Sequence, residues 1–298
     1  MGSQEPFAHW KEAIKRREMS PEIAVDANGL PPVFQFSQNT LQDYVDCARR
    51  FQLRHVMGQQ WPAVESEPLE EREHFIEQGA QFHLLVQRHL LGIPEEQLRP
   101  EDPLLRRWWE AYLHQPPSDL PNESRMPEAQ FSVPLSSERL LARFDLLAIE
   151  PGQRAIIVDW KTTRRRPERR LLAMRLQTRV YPFVLVEAGA DVFGEPIATE
   201  QVSLIYWFAE MPGEPETFAY NAELHEENRA YLAGLIDEIL ARREEVWPLT
   251  SDTQMCRFCV YRSLCDRGVK AGDYRDADNE IDEFDFDIDL DSVEEVAF

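Results

Sequence analysis

An acid and an amine two residues apart close one apolar run of this chain, Ile156-Ile157-Val158-Asp159-Trp160-Lys161. Side chains of an extended segment alternate between faces, so a strand here sets Asp159 and Lys161 side by side. The carboxylate suits a hard cation such as Mg²⁺ or Mn²⁺, and the ammonium can orient an attacking water or stabilise charge at a phosphate. Asp145 lies in an otherwise apolar stretch, Leu141-Ala142-Arg143-Phe144-Asp145-Leu146-Leu147, and a hairpin would bring it beside Asp159. A buried carboxylate needs a partner. A shared metal ion would be one; an ion pair of Asp145 or Asp159 with Lys161 is the purely structural alternative.

A second set is the complete cysteine inventory. Cys256, Cys259 and Cys265 have the spacing C-x2-C-x5-C, and Cys47 stands far upstream. Four thiolates satisfy either a 4Fe-4S cluster or a structural Zn²⁺ ion, and their uneven placement does not suit a secreted disulfide scaffold. No apolar run approaches the roughly 18 to 20 residues that span a bilayer. These features predict a reducing-compartment, cytoplasmic protein with no membrane segment.

The elements that must position these groups follow from pattern and punctuation. A helix is expected from about Ser37, a possible N-cap, to Met57, another from Arg72 to Leu91, and a third from Pro103 to His114. Strands are expected at Glu128 to Leu135, Leu140 to Glu150 and Ala155 to Trp160, the last two joined by the turn signal Pro151-Gly152. A long helix from Glu168 to Glu187, a strand from Gln201 to Phe208 and an amphipathic helix from Leu224 to Val246 complete the order. This alternation argues for an α/β fold with a mixed central sheet flanked by helices. Leu30-Pro31-Pro32 suggests a boundary, giving an extension 1–32, a folded domain 33–272 and an acidic tail 273–298.

The series Glu128, Asp145, Asp159-Trp160-Lys161, Gln177 and Tyr181 resembles the PD-(D/E)XK nuclease superfamily, in particular its RecB-like branch. The resemblance implies that Asp145 and Asp159 bind the metal, that Lys161 positions the nucleophile and that Glu128 is a supporting acid. Gln78-Gly79-Ala80-Gln81-Phe82-His83 resembles the family's G-x-x-x-H helix, which makes His83, rather than His74 or His89, the implied further ligand. Gln177 and Tyr181, four apart on one helix face, match the Q-x-x-x-Y motif and would contact nucleic acid or support the site. Ala142 stands where the family often has glycine, and Pro182 after Tyr181 is expected to kink the helix. The cysteine pattern resembles the iron-sulfur staple of AddB-type helicase nucleases and of CRISPR adaptation nucleases. The likeness implies a 4Fe-4S cluster clamping the two ends of the domain, with Zn²⁺ as the other candidate.

Charge qualifies this reading. The chain carries 32 basic and 54 acidic residues, net −22, which counts against general attraction to nucleic acid. The tail alone holds −11, whereas Lys161 to Arg179 holds eight basic residues and one acid, including Arg164, Arg165 and Arg166. Guanidinium groups suit phosphate, though a solvated loop has the same composition. The tail's alternation, Glu283-Phe284-Asp285-Phe286-Asp287-Ile288-Asp289-Leu290-Asp291, fits a solubilising segment, an added strand or a cover for the basic groove. Trp108 and Trp109 fit core packing better than base stacking. With no G-x-x-x-x-G-K-[ST] loop, a helicase motor would have to come from a partner. The expectation is a metal-dependent nuclease acting on DNA, single-stranded or with free ends, in repair, CRISPR adaptation or phage defence. The competing expectation is a catalytically silent nucleic-acid-binding or scaffold subunit.

Overall fold

The computed structural model describes residues 29–31, 34–59 and 69–272, with side chains of the last stretch from residue 74 onward. The acidic tail and nearly all of the extension 1–32 lie outside these residues. The strands are β1 (Phe36–Ser37), β2 (Ser124–Leu135), β3 (Glu138–Glu150), β4 (Arg154–Lys161), β5 (Val202–Phe208) and β6 (Glu216–Ala219). They form one mixed sheet in the order β1-β3-β4-β5-β6, with β2 also paired to β3. β4 and β5 are parallel, which requires the helical crossover between them, whereas β3 and β4 form an antiparallel hairpin. Gly152 turns that hairpin at φ 68°, the left-handed conformation that glycine adopts without steric cost.

One edge of β3 has two partners in succession. β1 pairs with Leu140 and Leu141, and β4 pairs from Leu146 to Glu150. The ladder stops between them, so β3 and β4 diverge beyond Leu146 and Val158. Asp145 and Asp159 are the next residues past that last pair, one on each side of the fork.

The helices are α1 (Gln38–Asp46), α2 (Ala48–Phe51), α3 (Leu69–Leu90), α4 (Pro103–His114), α5 (Arg169–Met174), α6 (Leu176–Phe193), α7 (Ala222–Ala241) and α8 (Thr253–Phe258). One core layer joins α1, α6 and α7 to the sheet through Leu41, Val180, Phe183, Leu232 and Ile236, which pack with Ile157 and Tyr206. The other joins α3 and α4 through Phe82, Val86, Trp108 and Trp109, which pack with Val158, Trp160 and Trp207. Consecutive residues of β4 thus enter opposite layers, and both faces of the strand are buried, as its unbroken apolar run implies. Both Trp108 and Trp109 are core residues.

Two expected helices are interrupted. The stretch after Ser37 breaks at Cys47, whose backbone is extended at φ −164° and ψ 110°, and ends in a π-helical turn, Gln52–Val56. The stretch after Glu168 breaks at Arg175, and Gln42 caps the restarted α6 by accepting from the Leu176 N–H at 3.1 Å. Pro182 sits inside α6 without ending it. The last long helix stops at Ala241 rather than Val246, because Arg242 turns to extended backbone at ψ 136°. Pairings made only in three dimensions create β1 and β6, which periodicity does not reveal.

The break at Cys47 is bridged by charge. The Asp43 carboxylate, 5% exposed, lies 2.7 Å from Arg50, 3.1 Å from Arg54 and 2.9 Å from His55. Burial pushes its pKa up, but these three groups outweigh burial and hold it at about 2. A depressed carboxylate stabilises the fold fully above its unfolded pKa and loses that contribution as pH falls through its folded value. The shift corresponds to about 2 kcal/mol, of which about half should be lost by pH 3. Asp43→Asn should cost about 3 kcal/mol near pH 7, because buried Arg50 keeps only Asp46 as a carboxylate partner, at 2.8 Å, and Arg54 and His55 lose the charge they share. Urea midpoints measured from pH 6 to pH 3 should show the gap between wild type and variant narrowing; a constant gap would contradict this account.

Candidate active site

The fork between β3 and β4 collects side chains from both helical layers. Asp145 Oδ2 accepts the Trp160 backbone N–H at 2.7 Å, taking the donor that the interrupted ladder leaves without a strand partner. Its Oδ1 faces His83 Nδ1 of α3 at 3.4 Å. Gly79, one turn before His83, permits this approach: a Cβ there would stand 3.0 Å from Thr162 Oγ1, at the end of β4. His74 lies instead near Asp102 at 3.8 Å and His89 near Tyr112 at 3.2 Å, so neither reaches the fork.

Glu128 enters from β2 through a local irregularity. Its φ is 54°, and the β2–β3 register passes from Pro127↔Leu146 to Ala129↔Phe144 around it. Both strands change phase here. Leu140, Ala142 and Phe144, then Leu147 and Ile149, belong to one layer, while Leu146 enters the other. On β2, Met126 and then Ala129 and Phe131 share that first layer. An uninterrupted strand alternates with period two, so the sheet is distorted where Glu128 faces Asp145. Non-glycine residues at positive φ concentrate at functional sites, where the surrounding structure holds them.

The His83 nitrogen and one oxygen each of Glu128 and Asp145 lie within 4.8 Å of one another. Burial pushes the Glu128 carboxyl up, as does the Asp145 charge, although Arg143 pairs with it at 2.7 Å. Burial also acts against the charged Asp145, but His83, the Trp160 N–H and Lys161 bring its pKa below the usual carboxylate value. Neighbouring acids with divergent proton affinities are a feature of sites that gather charge for chemistry or for a cation.

Asp159 and Lys161 are 2% and 8% exposed, and their charged ends are 2.9 Å apart, side by side as strand alternation requires. The amide nitrogen of Gln177 on α6 donates to Asp159 Oδ1 at 2.5 Å and to the Tyr181 hydroxyl at 3.0 Å. Tyr181 is 3% exposed: its ring belongs to the core and its hydroxyl is turned to Gln177. Asp159 is outside the three-ligand group, oriented by Lys161 and Gln177.

The arginine stretch is divided by its partners. Arg164 lies over the Phe75 ring, 4.7 Å from its centroid, and Arg166 pairs with Glu216 of β6, as does Arg169. Arg165 and Arg170 are exposed. The latter two remain the most direct candidates for phosphate. Sequence reasoning named neither the pairing of Arg143 with Glu128 nor the anchoring acid Glu216. Arg143 was signalled only by its place two residues before Asp145, and Glu216 by nothing short of the fold.

The four cysteines line one cavity together with Arg50, Arg262 and Arg267. Burial pushes the Cys259 thiol up to about 11, and burial also raises Cys265, with Cys47 adding to the shift. All four are free of disulfides.

Residues 35–266 match the sequence profile of the PD-(D/E)XK nuclease superfamily. The chain belongs to this superfamily. A PD-(D/E)XK nuclease thus has Asp145 and the Asp159-Trp160-Lys161 triplet at its strand fork, with His83 and Gln177 arriving from opposite layers. No curated protein matches the chain. Among solved structures, SSO0001 is 12% identical with a TM-score of 0.40, over 86% of this chain and 93% of that one. A Eubacterium rectale protein provisionally named an exonuclease is 10% identical with a TM-score of 0.49, over 92% and 97%. No helix among the described residues is long and apolar enough to cross a membrane.

Proposed function

We propose that this PD-(D/E)XK nuclease is a metal-dependent deoxyribonuclease that hydrolyses phosphodiester bonds with an activated water. The observation that carries the reading is the convergence of His83, Glu128 and Asp145 beside the Asp159–Lys161 pair. One nitrogen and two carboxylate oxygens within 4.8 Å fit a small divalent cation, and the oxygen-rich set favours Mg²⁺ or Mn²⁺. When bound, such an ion supplies Lewis acidity and lowers the pKa of water. His83, Glu128 and Asp145 would hold it, with Asp159 at its side. The Lys161 ammonium, fixed against Asp159, donates hydrogen bonds to the attacking water or to a phosphate oxygen. Gln177 keeps Asp159 oriented, while Arg165 and Arg170, with Arg164 nearby, offer guanidinium groups to the strand backbone.

For the second centre, the proposal is a 4Fe-4S cluster on Cys47, Cys256, Cys259 and Cys265. Support comes from the cavity that all four thiols line together with Arg50, Arg262 and Arg267, and from the C-x2-C-x5-C spacing of three of them. Zn²⁺, which four thiolates satisfy as well, is the alternative that elemental analysis distinguishes. The DNA would be single-stranded or have free ends, and the setting repair, CRISPR adaptation or phage defence, with any helicase supplied in trans.

Anaerobically purified protein should cleave end-labelled linear DNA with Mn²⁺ and lose that activity in EDTA. A closed circular substrate separates internal cutting from end-dependent degradation. Absence of cleavage on linear, circular, single-stranded and double-stranded DNA alike would favour the silent scaffold instead.

A further inference from the structure

Gln38 opens α1, 143 positions before Tyr181, yet its amide nitrogen donates to the Tyr181 hydroxyl at 3.3 Å in a buried contact. That hydroxyl also accepts from Gln177 at 3.0 Å, and the same Gln177 nitrogen reaches Asp159 Oδ1 at 2.5 Å. Three side chains thus connect the first turn of α1 to a carboxylate at the end of β4. One turn further along α1, Gln42 accepts the Leu176 N–H at 3.1 Å and holds the beginning of α6. The helix bearing Gln177 and Tyr181 is therefore tied to α1 at its start and again through Gln38.

Packing alone does not account for an amide at position 38. Gln38 is 8% exposed, and its Oε1 has no hydrogen-bond partner among the described residues. A buried acceptor without a partner opposes folding, and an apolar side chain of similar length would fill the space without that penalty. What the amide supplies is a polar contact to Tyr181, and either orientation of the amide group can make it.

We propose that Gln38 is a positioning residue for phosphodiester cleavage, fixing the Tyr181 hydroxyl and, through Gln177, the plane of the Asp159 carboxylate against Lys161. The proposal rests on the nuclease reading above. Asp159 is held at Oδ1 by Gln177 and at Oδ2 by Lys161, so loosening the first contact lets the carboxylate rotate and carries the ammonium with it. Small misplacements of reacting groups lower turnover more than they lower binding.

The test is a double-mutant cycle with Gln38→Met, Tyr181→Phe and both together, reading kcat, KM and melting temperature on linear DNA with Mn²⁺. Gln38→Met should lower kcat about tenfold, leave KM within about twofold and melt no lower than wild type. The double variant should turn over no more slowly than the slower single one, because both changes cut the same chain. Wild-type kcat in Gln38→Met, multiplicative losses in the double variant, or a Gln38→Met chain that fails to fold would each overturn the proposal. A wild-type protein that cuts no DNA would instead remove the nuclease reading, an outcome the same assay distinguishes.

Discussion

Lys161→Met is expected to reduce DNA cleavage about 10²- to 10³-fold, the range that follows loss of one preorganised donor aimed at developing charge. The ammonium is 8% exposed and 2.9 Å from Asp159, and its Nζ lies 5.6 Å from the Tyr206 ring centroid. Low-dielectric surroundings strengthen what a charge does to a nearby phosphate or water. The same burial makes the methionine variant less stable, because Asp159 is left inside the protein without its cation. Lys161→Arg separates the two effects. It keeps the charge and most of the stability, but a planar guanidinium cannot occupy the place of a compact ammonium, so the rate should still fall about tenfold or more. Steady-state cleavage and thermal melting of the two variants check this together. Full cutting by Lys161→Met would refute the role, and full cutting by Lys161→Arg would show that any cation suffices.

The second large effect concerns the cysteines. Cys259→Ser is expected to abolish iron binding and visible absorbance and to lower the melting temperature by about 10 °C or more. Cys47 and Cys256 stand 209 positions apart, and in the simple polymer picture a link that closes so long a loop stabilises by on the order of 5 kcal/mol. For a domain of this size, each kcal/mol shifts melting by about 2 to 4 °C. Removing one thiol also leaves Arg50, Arg262 and Arg267 around a cavity without the anionic centre they would face. Unchanged melting with full iron content would sink the claim, and stoichiometric zinc in a colourless protein would replace the cluster with a zinc ion.

Several parts of the site were legible because they depend on local rules. Strand alternation alone puts Asp159 and Lys161 on one side of β4, and the four-residue spacing alone puts Gln177 beside Tyr181. The α4 bounds, Pro103 to His114, agree with the expectation because Asp102 caps the helix through the Leu104 and Leu105 N–H groups and Pro103 occupies its first position. The broken helices were not legible. Residues 38–56 carry a continuous helical pattern, and the interruption at Cys47 comes from contacts outside the stretch: Pro248 accepts the Arg49 N–H, and the Gln52 side chain bonds Glu245 and Trp247.

Total charge and local charge carry different information. The net charge of −22 gave no hint of a basic segment beside the site, and the arginines after Lys161 suited phosphate binding or a solvated loop alike. Glu216 takes Arg166 and Arg169 for itself, an assignment made by a four-residue edge strand that pairs with β5 only in the folded state.

The inventory of groups is local: an acid–lysine pair ending a buried strand, a histidine helix with a glycine one turn earlier, a Q-x-x-x-Y face and four cysteines. How those groups are shared out depends on the folded chain. His83, Glu128 and Asp145 meet because two strands change phase together and the β3–β4 ladder stops one pair short of the acids. Asp159 turns instead to Lys161 and Gln177, steadied from α1 through Tyr181. Side-chain type and spacing are properties of a local segment, whereas which oxygen faces which partner depends on register, strand divergence and helix approach, all set by contacts between residues far apart in the chain.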